Sequence, residues 1–179
     1  MPTFTIDGVN MSFPIVLIAI GAVVTAIAFA RGGRGRRVAL WGGLVLSLAL
    51  IGMLTLASLV GDDFDGAQGV NLVPFQEIER GWGNRGSTAW TNLVGNVLLF
   101  IPFGAAVAGI TYGGPLRRVL FGTVLGGLLS TGIELTQYWG GRVADIDDII
   151  LNTAGAFLGA LLAATIAGIA TVGSRKGPA

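Results

Sequence analysis

The chain has 179 residues, 53% of them hydrophobic and 12% charged, with a net charge of +1; this is a composition for a bilayer, and it excludes nucleic acid, which is gripped through a strong basic excess. It has no cysteine and no histidine, which removes disulfides, thiolate chemistry, the commonest general base and the commonest zinc ligand together. Any chemistry has to run on carboxylates, amides, hydroxyls and arginine.

A helix needs about 20 apolar residues to cross ~30 Å of hydrocarbon. Five runs reach that length: Phe13–Ala30, Val38–Val60, Asn92–Tyr112, Val119–Trp139 and Ile149–Val172. Lipid offers an open backbone no hydrogen-bond partner, so all five are predicted helices and the fold class is an all-α, polytopic transmembrane bundle. The first run follows MPTFTIDGVNMS, which lacks the basic residues that open a secretory signal. It is therefore read as a retained span.

Basic residues set the predicted orientation. Arg31, Arg34, Arg36 and Arg37 separate the first two spans, Arg117 and Arg118 the third and fourth, and Arg175 and Lys176 follow the fifth. These alternate connections carry eight of the eleven basic residues, which makes them cytoplasmic, with the N-terminus outside and the C-terminus inside. All ten acidic residues then fall outside or near the outer ends of helices. The chain divides into two N-terminal helices without a signature (1–60), an extracytoplasmic loop (61–91), a three-helix core (92–172) and a cytoplasmic tail (173–179).

The loop, GDDFDGAQGVNLVPFQEIERGWGNRGSTAWT, mixes apolar anchors with a proline. Trp82 and Trp90 suit the interfacial aromatic belt. Ser87 or Thr88 can cap the third span. On that span Asn92 and Asn96 share a face, and Pro102 with Gly104 predicts a kink.

The densest polar stretch is STGIELTQYWGGRVADIDDIILNTAG, residues 130–155. Glu134 lies inside the fourth span with Gln137 one turn further along, and an ionisable residue at that depth points to a function inside the bundle or in a cavity. The competing reading is a structural hydrogen bond between helices, with Asn96 as one partner. Asp145, Asp147 and Asp148 open the fifth span, where one acid is expected to cap the unpaired amides of the first turn. Asp148 and Asn152 share a face that continues to Gly155 and Gly159, a seam of small residues suited to close helix packing. Arg142 sits in the loop above these acids, either as an organising salt bridge or as a fork for an anionic group. A run of the form D-x-D-D is a weak metal signal, and no metal or cofactor is assigned.

In order, NLVPF (71–75), NLVGNVLLFIPFG (92–104), STGIELTQ (130–137), Gly141-Arg142, DIDDIILNTAG (145–155) and Gly159 resemble the pattern of the VanZ-like family of bacterial membrane proteins. The resemblance runs from about Asn71 to Gly159 and carries Asn71, Pro74, Asn96, Glu134, Gln137, Arg142, Asp145, Asp148 and Asn152 as matching polar positions. It implies a multi-pass protein of the bacterial cell membrane, in a family whose namesake is associated with low-level resistance to the glycopeptide teicoplanin and which has no agreed biochemical activity.

The expected function is a cell-envelope protein with an outward-facing polar pocket for a lipid-linked or amphiphilic ligand. Its ligand-binding residues are Asn71, Asn96, Glu134, Gln137, Arg142, Asp145, Asp148 and Asn152. Membrane lipids, a lipid-linked cell-wall precursor or a lipoglycopeptide are the partners considered, together with a second copy of the chain. The alternative is a membrane-embedded hydrolase or transferase acting on a lipid head group, with Glu134 as acid or base and Asp148 beside it. A transporter is a third reading, supported by Pro102 but lacking an inverted repeat.

Overall fold

The computed structural model describes residues 5–6, 9–10, 33–60, 69–85 and 87–174, so the first predicted span lies outside the described residues. In chain order the elements are β1 (Thr5–Ile6), β2 (Val9–Asn10), α1 (Gly33–Val60), β3 (Gly69–Asn71), α2 (Gln76–Gly83), α3 (Thr88–Ile110), α4 (Pro115–Trp139), β4 (Val143–Asp145) and α5 (Ile146–Ser174). Strands β1 and β2 pair antiparallel, and β3 pairs parallel with β4, matching Gly69, Val70 and Asn71 to Val143, Ala144 and Asp145.

Helices α1, α3, α4 and α5 are each long and apolar enough to cross a membrane. The fold is an all-α bundle, with each of these helices starting a few residues before the corresponding predicted run. Hydropathy marks only the stretch that lipid requires, whereas capping decides where the backbone begins to turn. Ser87 caps α3, its Oγ accepting from the amide of Trp90 at 3.2 Å, as its residue type predicts. Pro115 opens α4 at a position where the missing N–H costs nothing. Helix α3 runs unbroken from Thr88 to Ile110 with Pro102 inside it, so the transporter reading loses the interrupted helix it leaned on.

Helix α5 packs against both α3 and α4, and glycine makes this possible. A Cβ added at Gly155 would land on the carbonyl of Val97, one at Gly159 on that of Ile101, and one at Gly104 of α3 on that of Ala156. On the other side Gly122 and Gly126 of α4 face Ala160 and Ala156 of α5. In lipid no hydrophobic force draws one helix to another, so backbones brought this close contribute the dispersion contacts that hold them. The small-residue seam of the fifth span is thus filled by α3 within the same chain. Larger side chains sit beside it: Phe100 and Phe103 meet edge to face at 6.1 Å and pack with Ile51 of α1, Val107 and Ala156.

At the arginine-bearing end, Arg118 donates from Nε to the carbonyl of Gly113 (3.0 Å) and from Nη1 to that of Ala108 (3.4 Å). A cation there meets the Ala108 carbonyl in the last turn of α3 and the Gly113 carbonyl in the connection that follows.

Candidate functional site

At the opposite end, α4 stops in a Schellman arrangement. Gly141 adopts φ 88, its amide bonds to the carbonyl of Tyr138, and the amide of Arg142 reaches back to that of Gln137 (both 3.0 Å). The chain then enters β4 and is caught by Glu134, whose Oε2 accepts from the amide of Asp145 at 2.8 Å. Glu134 is only 4% exposed; it faces the protein, and its carboxylate holds the turn between α4 and α5.

The three aspartates divide the work. Asp145 is the N-cap of α5: its Oδ1 accepts from the amide of Asp147 at 2.8 Å, and its Oδ2 accepts from Asn71 Nδ2 at 2.9 Å, tying β3 to β4 through side chains as well as backbone. Asp147 is fully buried and accepts from Phe75 (2.6 Å), Glu77 (2.7 Å) and Ile78 (3.3 Å), all backbone amides. It therefore caps α2 from across the fold. It also holds Phe75 at φ 70, a left-handed conformation that costs a non-glycine residue roughly 1–2 kcal/mol. Asp148 accepts from Asn96 Nδ2 at 2.6 Å.

One turn deeper, Asn152 Nδ2 donates to Ser130 Oγ at 2.9 Å while Asn152 Oδ1 is buried with no hydrogen-bond partner. Of the predicted pairings, Asn96 belongs with Asp148 rather than with Glu134.

Beside this network is a cavity of about 180 Å³, lined by Glu77 of α2, Ala89, Asn92 and Leu93 of α3, Val143 and Asp145 of β4, and Asp148 and Leu151 of α5. Three carboxylates and one amide form its polar wall, with no basic residue among the lining groups. Glu77 is already paired with Arg80 at 2.7 Å, so the carboxylates of Asp145 and Asp148 give the wall its hydrogen-bond-accepting character. Among the described residues no three carboxylates gather as metal ligands; both oxygens of Asp145 and of Asp147 accept from amides.

Of the predicted ligand residues, Asp145 and Asp148 line this cavity; Asn71 and Asn96 stand directly behind them through the bonds given above. Glu134, Gln137 and Asn152 are not on its wall. Arg142 is half-buried at the turn after α4.

The sequence model of the VanZ/LLP1 family matches residues 40–167, from within α1 to within α5. The chain belongs to the VanZ/LLP1 family. Neither a curated protein nor a solved structure matches it. The matched region holds every side chain of the site.

Sequence reasoning missed three participants in this VanZ/LLP1 site. Asn92 had a visible signal, since it lies one turn from Asn96 on the same face. Glu77 lies two residues after the NLVPF stretch, on a helix too short to announce itself. Asp147 is indistinguishable in sequence from an ordinary first-turn acid, because the amides it receives come from 70 or so positions earlier in the chain.

Proposed function

We propose that this VanZ/LLP1 membrane protein binds the head group of an amphiphile in the acidic cavity between α2, α3, β4 and α5. The observation that carries the reading is the composition of the wall, which combines the polar Glu77, Asp145, Asp148 and Asn92 with the apolar Ala89, Leu93, Val143 and Leu151. That mixture suits a molecule with a hydrogen-donating or cationic head and an apolar body. Size narrows it further. Pockets that enclose a drug-sized ligand run to roughly 300–1,000 Å³, so a cavity of about 180 Å³ takes one sugar-, amine- or ethanolamine-sized group. A lipoglycopeptide such as teicoplanin can present only one such group to it, and a resistance role, which comes from the family resemblance, would act through a lipid-linked precursor or a single exposed group of the drug.

In this reading the protein sits in the bacterial cell membrane with the acidic end outward. The support is the separation of charge: Arg36, Arg37, Arg117 and Arg118 flank the starts of α1 and α4, while Glu77, Asp145, Asp147 and Asp148 gather where α4 ends and α5 begins.

The test is native mass spectrometry of protein extracted with its membrane lipids. Wild type should retain a lipid, and Asp148→Asn, which keeps the shape of the side chain, should lower its occupancy by roughly 10–100-fold, the equivalent of one charge-assisted hydrogen bond of about 1.5–3 kcal/mol. Equal occupancy in both proteins removes the reading. If turnover of a lipid substrate is found instead, Asp148 is the acid placed to take part, because Glu134 is off the cavity wall and committed to the Asp145 amide.

A further inference from the structure

We infer that residues 69–83, from β3 through α2, lie in the head-group layer of the bilayer, with Val70, Leu72, Val73 and Phe75 immersed at its apolar boundary. This holds whether or not the cavity binds a ligand.

The four side chains are 56%, 70%, 59% and 55% exposed on the protein. They follow one another along a single short stretch, and a contiguous apolar patch of this kind marks an interaction surface, not scattered exposure. Three observations name the occupant as lipid. First, the stretch is fixed to the place where the spans end: β3 pairs with β4, which joins α4 to α5, and Asp147 at the start of α5 holds the amides of Phe75, Glu77 and Ile78. Second, the register turns it outward. Asn71 and Asp145 are partners across the parallel ladder and their side chains meet on the inner side, so Val70, one residue earlier, points to the other face. Trp139 at the end of α4, and Leu128 and Leu135 along it, are likewise exposed apolar side chains near this end of the bundle.

Third, the far end of the segment carries an interfacial anchor. The Arg85 guanidinium lies 5.0 Å from the Trp82 ring and 5.7 Å from the Trp90 ring, and the two indoles meet edge to face at 5.7 Å. Indole and guanidinium together favour the head-group level, where one end is apolar and the other wet. Helix α2 completes the arrangement with Glu79 and Arg80 exposed on a polar side, the division expected of a helix lying in the plane of the interface.

The test uses the absence of native cysteine, which makes any introduced thiol unique. Leu72→Cys, Val73→Cys, Glu79→Cys and Val124→Cys, the last on the lipid-facing side of α4, are labelled with an environment-sensitive fluorophore and reconstituted in phosphatidylglycerol–phosphatidylcholine vesicles. Labels at 72 and 73 should emit to the blue of the label at 79 and be quenched severalfold more by shallow spin-labelled lipid than by aqueous iodide. The label at 124 should be quenched by lipid alone and the label at 79 by iodide. Iodide quenching at 72 and 73 equal to that at 79 overturns the proposal. So does shielding from both quenchers with crosslinking between copies at 72, which would assign the patch to a second copy of the chain.

Discussion

From Gly155 onward α5 meets its neighbours backbone to backbone, whereas between Asp145 and Asn152 the same element meets them through carboxylates and amides. The first region uses residues with almost no side chain, so that contacts form without hydrogen bonds. The second uses side chains that are nearly all hydrogen bond. The difference follows the solvent: in the hydrocarbon the only gain available is close approach, while at the membrane boundary the chain must turn, and every turn leaves amides that need acceptors. Carboxylates at 134, 145 and 147 supply them.

The comparison breaks most visibly at the seam. Gly159→Val places atoms on the Ile101 carbonyl, so α3 and α5 must separate; a loss of about 3 kcal/mol or more is expected, read as the midpoint of unfolding in mixed detergent micelles. Gly132→Ala, where an added Cβ meets nothing within 4 Å, should leave stability equal or slightly higher. Similar losses from both would mean the close approach is not what holds the bundle.

At the polar end the largest effect is expected from Asp147→Ala. Three amides lose their acceptor, for a cost of about 3 kcal/mol. The loss should be local: hydrogen exchange accelerates at Phe75, Glu77 and Ile78 while α3–α5 stays protected. Unchanged exchange at those three amides refutes the cross-fold cap.

At the inner edge of the polar region lies the Ser130–Asn152 pair, and its effect should be the smallest. Ser130→Ala leaves the Asn152 amide donor without its partner and should cost about 1–2 kcal/mol in the same unfolding measurement. Adding Asn152→Leu removes the buried polar groups on both sides and should return most of that stability. A double variant weaker than the single one would show that this pair belongs to the cavity network rather than to the apolar interior.

How much of this could be read from the sequence depends on the distance over which each signal acts. The last four spans, the Ser87 cap, an aspartate cap at the start of α5 and the Gly155–Gly159 seam are written within a few residues of where they operate, and each is present. The Gly140–Gly141 stop of α4 is equally local. By contrast α2, β3 and β4 gave no periodicity to detect: two are three residues long and the third is eight. Their stability comes from partners remote in sequence, such as Asn71 with Asp145 and Phe75 with Asp147. A left-handed Phe75 contradicts its own residue preference, and only the fully buried carboxylate at 147 accounts for it. The site was legible as a cluster of polar residues at one end of the bundle, but not as a wall. Which of Glu134 and Asp148 faces the cavity is settled by helix rotation, and hydropathy carries no information about that.

The bond between the Phe75 amide and Asp147 spans 72 positions. At a synthesis rate of about 5–20 residues per second, the acceptor is made roughly 4–14 s after the donor. During that interval the NLVPF stretch has neither its strand partner nor its cap, and its apolar residues have only the bilayer surface to rest on. Assembly of the acidic end therefore waits for the last helix to be inserted. A ribosome stalled before residue 147 would leave a chain whose first described spans are in place and whose cavity does not yet exist.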